Sequence, residues 1–161
     1  MKWEKKDIAP EQVKDLSAKY GCDLLTASVL ARRGHCRGDS IKYFLENDVR
    51  HLRNPFGLPG MEDAVERILA AKEEGEKVLV FGDGDVDGIT GTALLAGYLE
   101  SAGMDISWRI PAGDEPYGIS EKAVEEFAAA RGTLVISVDC GISCNKEIRR
   151  ANELCVDVIV T

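Results

Sequence analysis

From Pro10 to about Asn47, apolar residues return at helical spacing: Val13, Leu16 and Tyr20, then Leu24, Leu25, Val29 and Leu30, then Ile41, Phe44 and Leu45. Gly21, Gly34 and Gly38 interrupt these stripes, so the pattern predicts a few short helices. The stretch Asn54-Pro55-Phe56-Gly57-Leu58-Pro59-Gly60 is rich in proline and glycine and marks a boundary. Residues 1–60 therefore read as a helical N-terminal extension and connector, and residues 61–161 as a second region.

In that second region Met61, Ala64, Val65, Ile68 and Leu69 line one face of an amphipathic helix, which needs a sheet to cover it. Four short runs rich in β-branched residues supply candidate strands, at 78–81, 106–110, 134–138 and 156–160. Helical patterns fill the gaps, from Thr90 to Ser101, Ser120 to Ala130 (Ala123, Val124 and Phe127 inward) and Ser143 to Cys155 (Ile148, Ala151 and Leu154 inward). Strands alternating with helices at this spacing predict an α/β fold, a parallel sheet with helices on both faces. The nearly continuous apolar runs agree, because parallel strands are buried on both sides.

Composition narrows the picture only in places. A chain of 161 residues with 45% hydrophobic content is long enough for one sizeable core and a short appended segment. No run approaches the roughly 18 apolar residues of a membrane span, and Met1-Lys2-Trp3-Glu4-Lys5-Lys6 leads into no apolar signal region. A cytoplasmic protein is expected. Cys22, Cys36, Cys140, Cys144 and Cys155 form an odd set without a repeating pattern, which fits free thiols in a reducing compartment. His35-Cys36 has no second ligand pair at finger-like spacing and reads as incidental to zinc. The net charge of −8 opposes general nucleic-acid affinity, leaving the clusters Arg32-Arg33-Gly34-His35-Cys36-Arg37 and Arg50-His51-Leu52-Arg53 as the basic surface.

Chemistry concentrates in Gly82-Asp83-Gly84-Asp85-Val86-Asp87-Gly88-Ile89-Thr90-Gly91, directly after the strand ending at Phe81. An acidic surface turn is a poor reading, because three alternate aspartates at one strand end repel each other unless a cation neutralises them. An EF-hand loop matches Asp83, Asp85, Asp87 and Gly88 at positions 1, 3, 5 and 6, but its position 12 falls on Leu94 where a glutamate is required. A dinucleotide loop fails because the aspartates would repel the pyrophosphate. A haloacid-dehalogenase-like pair, Asp83 and Asp85, leaves Asp87 unexplained. The remaining reading is a carboxylate cluster for hard divalent cations, Mn2+ or Mg2+, beside a substrate phosphate, with a helix starting at about Ile89 adding a favourable partial charge. Two cations roughly 3.5–4 Å apart suit in-line phosphodiester hydrolysis. Asp139, at the end of the strand running through Val138, is the natural further carboxylate, while Cys140 and Cys144 read as packing residues.

Val80-Phe81-Gly82-Asp83-Gly84-Asp85-Val86-Asp87-Gly88-Ile89-Thr90 resembles the first motif of the DHH phosphoesterases in their RecJ-type branch, and Val138-Asp139-Cys140-Gly141-Ile142 resembles the second. Arg32-Arg33-Gly34, Phe44-Leu45, Pro55-Phe56, Gly60-Met61 and Ala64-Val65-Glu66-Arg67-Ile68 are similar to the region before the first motif. Tyr117-Gly118-Ile119 is similar to the family's Tyr-Gly-Leu segment. The arginine and glycine that usually precede that tyrosine are replaced here by Ala112-Gly113-Asp114-Glu115-Pro116, and Gly84 stands where the family often has an aromatic residue.

The resemblance implies a metal-dependent exonuclease that hydrolyses single-stranded DNA from the 5′ end in repair and recombination. It implies Asp85 and Asp87 as the main metal ligands, with Asp139 joining them and Asp83 as a ligand or its support. Gly88, Thr90, Tyr117 and Gly118 would lie against substrate. Single-stranded DNA and DNA-repair proteins are the expected partners. The Asp-His-His motif, a later metal-binding aspartate and the nucleic-acid-binding domain are expected beyond Thr161, so the sequence reads as cut short, and alone it should show little nuclease activity and weak manganese affinity. Two other readings stay open: a phosphodiesterase for short oligonucleotides or cyclic dinucleotides, and a non-catalytic scaffold of the same fold.

Overall fold

The computed structural model describes residues 4–46, 48–113 and 115–161. Met1–Trp3, used above in excluding a leader, Asn47 at the end of the helical stretch, and Asp114 in the segment before Tyr117 lie outside the described residues. The chain forms two compact units, Met1–Pro55 and Phe56–Thr161.

The first unit holds α1 (Pro10–Tyr20), α2 (Leu24–Arg32) and α3 (Asp39–Leu45). Proline opens α1, where its missing N–H costs nothing, and Gly21 closes it in the left-handed conformation at φ 67°. The Asp23 carboxylate caps α2, accepting from the backbone N–H groups of Leu25 and Thr26 at 2.8 and 3.0 Å. Leu16, Ala27, Leu30, Ala31 and Ile41 form the core. Leu24 and Leu25, expected on the inner stripe, are exposed. The stripe that α2 turns inward is 27, 30 and 31, where alanines allow neighbouring helices to approach closely.

The second unit is the α/β fold that the alternating pattern predicts. Its order is α4 (Met61–Glu74), β1 (Lys77–Gly82), α5 (Val86–Ser101), β2 (Asp105–Arg109), α6 (Glu121–Ala129), β3 (Gly132–Val138), α7 (Asn145–Glu153) and β4 (Asp157–Val160). All four strands are parallel, in the order β2-β1-β3-β4. Side-chain alternation along β1 divides the core. Val78 and Val80 pack with Ala71 of α4 and Ala96 and Leu99 of α5, whereas Leu79 and Phe81 pack with Val124 and Phe127 of α6 and Ala151 of α7.

Helix α5 begins at Val86, three residues before the expected Ile89. The Asp85 side chain is the reason: Oδ1 accepts from the N–H groups of Asp87 and Gly88, each at 3.1 Å, so the helix starts inside the acidic loop. At the opposite end of the sheet, Arg67 of α4 bridges Glu76 at 2.8 Å and Asp157 at 2.7 Å. The Thr133 hydroxyl also donates to Glu76, whose carboxyl is held below its usual range chiefly by the Arg67 guanidinium. Among the described residues no helix is long and apolar enough to cross a membrane.

Candidate metal centre

Strand pairing brings the acidic residues together. Gly82 stands opposite Val138 in the β1–β3 register, so the residues that follow them, Asp83 and Asp139, leave adjacent strand ends side by side. The chain runs from β1 outward to β2 and then returns past β1 to β3, which makes this the switch point where open α/β sheets bind ligands. One carboxylate oxygen from each of Asp83, Asp85 and Asp139 lies within 4.8 Å of the others. Asp83 is buried, whereas Asp85 and Asp139 are exposed.

Each acid is held differently. Asp83 Oδ1 accepts from the Gly84 N–H at 2.6 Å. Asp85 is fixed by its capping bonds to α5. Asp139 takes the left-handed conformation at φ 57°, a costly one for a residue with a Cβ. A set of bonds holds that turn: Ser137 Oγ donates to the Cys140 carbonyl at 2.8 Å, and Tyr117 Oη donates to the Asp139 carbonyl at 3.1 Å. Asp87 lies in the first turn of α5, exposed and outside the convergent group.

Two glycines let α5 settle onto the strand ends. A Cβ at Gly88 would lie 2.5–2.7 Å from the backbone of Asp83, and one at Gly91 would lie 2.7 Å from Val138 Cγ1. The Thr90 hydroxyl donates to the carbonyls of Val86 and Asp87 at 2.7 and 3.3 Å, so it braces the first turn. Tyr117 and Gly118 sit on the loop before α6, with Gly118 at φ 83° and a Cβ there only 3.0 Å from Cys144 Sγ. The negative charge of Asp83, with burial and the charge of Asp139, holds the Tyr117 phenol above its usual range.

A cavity of about 840 Å³ opens beside Asp139, lined among others by Tyr117, Cys140, Ile142, Lys146 and Thr161. Lys146, which nothing in the sequence pattern singles out, pairs with Glu121 at 2.8 Å on its wall. Burial, then the neighbouring Cys144, Asp83 and Asp139, push the Cys140 thiol up to about 11. It is protonated at neutral pH and packs into the core, as the sequence suggests for it. All five cysteines are free thiols.

The convergent groups offer oxygen alone, without histidine or thiolate, and this is the donor chemistry of hard divalent cations. Crowding three carboxylates at one strand end is unfavourable without a cation and favourable with one, so the residues fit such an ion as a partial ligand set.

A parallel sheet with a carboxylate cluster at its switch point defines an α/β protein with a candidate metal centre, and the family follows from comparison. The N-terminal domain of the DHH family matches residues 77–161, just over half of the chain, and the chain belongs to that family. It is 33% identical over 162 residues to the single-stranded-DNA-specific exonuclease RecJ of Bacillus subtilis, covering 100% of this chain and 21% of that protein. The RecJ of Thermus thermophilus is 39% identical over 105 residues, covering 65% of this chain and 16% of that protein. The chain thus spans about a fifth of the length of these relatives. A crystal structure of exonuclease RecJ bound to manganese aligns with a TM-score of 0.60 at 38% identity, covering 65% of this chain and 27% of that one. RecJ of Thermus thermophilus in complex with manganese aligns with a TM-score of 0.61 at 30% identity, covering 93% and 20%.

Proposed function

We propose that this chain is the amino-terminal part of a metal-dependent exonuclease that hydrolyses the phosphodiester bonds of single-stranded DNA from the 5′ end. The observation that carries the reading is the convergence of Asp83, Asp85 and Asp139 from two adjacent strand ends. The manganese-bound RecJ structures support it, as does the single-strand specificity of the relatives. In this reading residues 1–60 are the helical extension and residues 61–161 the start of the phosphoesterase domain.

Asp85 and Asp139 would hold Mn2+ or Mg2+ through exposed oxygens, with Asp83 completing the group from below and Asp87 flanking it on α5. A divalent cation bound there supplies charge neutralisation and Lewis acidity at a phosphate. The protein's own part is positional. Asp85 ties the site to the amino end of α5, whose partial positive charge favours a phosphate. Gly88 lets that end lie close on the strand end, and Thr90 braces its first turn. Tyr117 lines the cavity beside Asp139, a wall against which a nucleotide would lie, and Gly118, buried behind it, supports the loop that carries it.

The test is manganese-dependent digestion of end-labelled single-stranded DNA by the full-length protein and its Asp85→Ala variant. Turnover is expected to disappear while the circular dichroism spectrum persists. Unchanged turnover would sink the metal assignment, and preference for duplex DNA or cyclic dinucleotides would sink the substrate assignment.

A further inference from the structure

Ser137 is a polar residue with no exposure, in the middle of a sheet whose neighbouring side chains are apolar, and the metal ligands do not include it. Its hydroxyl spans the strand-end turn and donates to the Cys140 carbonyl at 2.8 Å, with Val138 and Asp139 inside the loop so closed. Its own carbonyl accepts twice from Thr161 at the end of β4, from the N–H at 3.2 Å and from Oγ1 at 2.8 Å. Gly141 completes the fit: at φ 104° it leaves space that a Cβ would fill, 2.7 Å from Ser137 Oγ. Cys140 in turn places its thiol 3.7 Å from the Phe81 carbonyl, so the closed turn is anchored to β1, which carries the other acidic loop.

The residue inside this turn is Asp139, in a left-handed conformation that costs about 1–2 kcal/mol for a residue with a side chain. Something must hold it there. Of the bonds at the turn, the Ser137–Cys140 bond is buried, and a buried hydrogen bond resists competition from water better than the bond from the exposed Tyr117. We infer that Ser137 is the positioning residue of the site: its hydroxyl locks the left-handed turn that aims the Asp139 carboxylate at Asp83 and Asp85, and thereby sets cation affinity. The cation part of this inference rests on the metal-site reading given above, whereas the turn-locking part does not.

The two parts separate in one experiment on the full-length protein. In Ser137→Ala, intraresidue scalar couplings measured by NMR report the φ of Asp139, and titration with manganese, followed by the electron paramagnetic resonance of the free ion, reports affinity. Val78→Ala, in the core cluster shared with α4 and α5, serves as a destabilised control remote from the turn. Asp139 is expected to leave the left-handed region in Ser137→Ala, with manganese affinity falling tenfold or more as for other groups that orient a ligand, while the control keeps both. Should the alanine variant fail to fold, Ser137→Cys retains the volume with a weaker donor and is expected to show the same changes in smaller measure. A left-handed Asp139 in the folded variant overturns the inference outright. A moved Asp139 with affinity within twofold of the wild type overturns its cation part. Absence of manganese binding by the wild type refutes the metal-site reading, and the φ measurement still decides the turn.

Discussion

Two glycines of the same helix are expected to respond oppositely to the same substitution. Alanine is favoured over glycine within a helix by about 1 kcal/mol, and Gly97 has nothing within 4 Å of the position its Cβ would take. Gly97→Ala should therefore stabilise the chain by about 0.5–1 kcal/mol. At Gly88 the added carbon would lie 2.5–2.7 Å from the N, Cα and carbonyl oxygen of Asp83, where ordinary contact begins near 3.4 Å. Backbone faces the new atom, so no rotamer change relieves the clash, and either α5 or the end of β1 must retreat by several tenths of an ångström. Overpacking of this kind costs about 1–3 kcal/mol. The helix gain is common to both variants, so the gap between them is the overpacking cost itself, about 1–3 kcal/mol. Denaturant melts of both chains, with thermal melts as a check, measure the gap, which corresponds to about 2–12 °C in Tm for a chain of this size. Equal midpoints for the two variants would refute the claim that close packing of α5 on Asp83 demands glycine.

Three further outcomes are expected. Glu76→Gln should cost about 1–2 kcal/mol at neutral pH by weakening its bonds with Arg67 and Thr133. Because Arg67 lowers the Glu76 carboxyl in the folded chain, that stability is complete above the ordinary glutamate range and fades as pH falls through the lowered value. The gap between variant and wild type should close in acid, and a gap independent of pH would contradict the pairing. Thr92 carries a buried hydroxyl without a hydrogen-bond partner among the described residues, so Thr92→Val should raise stability by about 1 kcal/mol in urea melts, and a loss of that size would reveal a missed partner. Asp139→Asn removes one of three converged charges and keeps a residue that tolerates the left-handed turn. Without metal it should melt no lower than the wild type, and it should lose the stabilisation that manganese gives the wild type, about 2.7 kcal/mol at a hundredfold excess over Kd, read as the loss of a manganese-dependent rise in Tm.

The parallel sheet was legible because β1 and β3 are nearly continuous runs of Val, Leu, Ile and Phe, and only strands buried on both faces need such runs. The acidic cluster was legible from crowding, since alternate aspartates at a strand end ask for a cation. Their ranking was less so. Alternate spacing presents Asp83, Asp85 and Asp87 as equals, whereas the Asp85 cap starts the helix early and carries Asp87 into its first turn, beyond the convergent group. Ser137 was hidden for a related reason: one serine in an apolar strand reads as tolerated polarity, and its carbonyl partner three residues later is visible only once the turn has a shape. The Arg67–Glu76–Asp157 bridge joins positions far apart in the chain, each of which reads alone as solvated surface. Exposed leucines in α2 mark the limit of periodicity, which found the helix but misjudged the face it buries.

Asp83 and Asp139 follow the ends of strands that are neighbours in the sheet but separated in the chain by α5, β2 and α6. No local segment can assemble the cluster, because closing that long loop must precede it. In the metal-site reading, cation affinity would therefore be a property of the finished sheet, and any partly folded form that lacks the β1–β3 pairing would hold scattered carboxylates with little hold on a divalent ion. A rising metal concentration should accordingly slow unfolding more than it speeds folding, provided the central pairing forms late, and the ion would act as a latch on the completed domain.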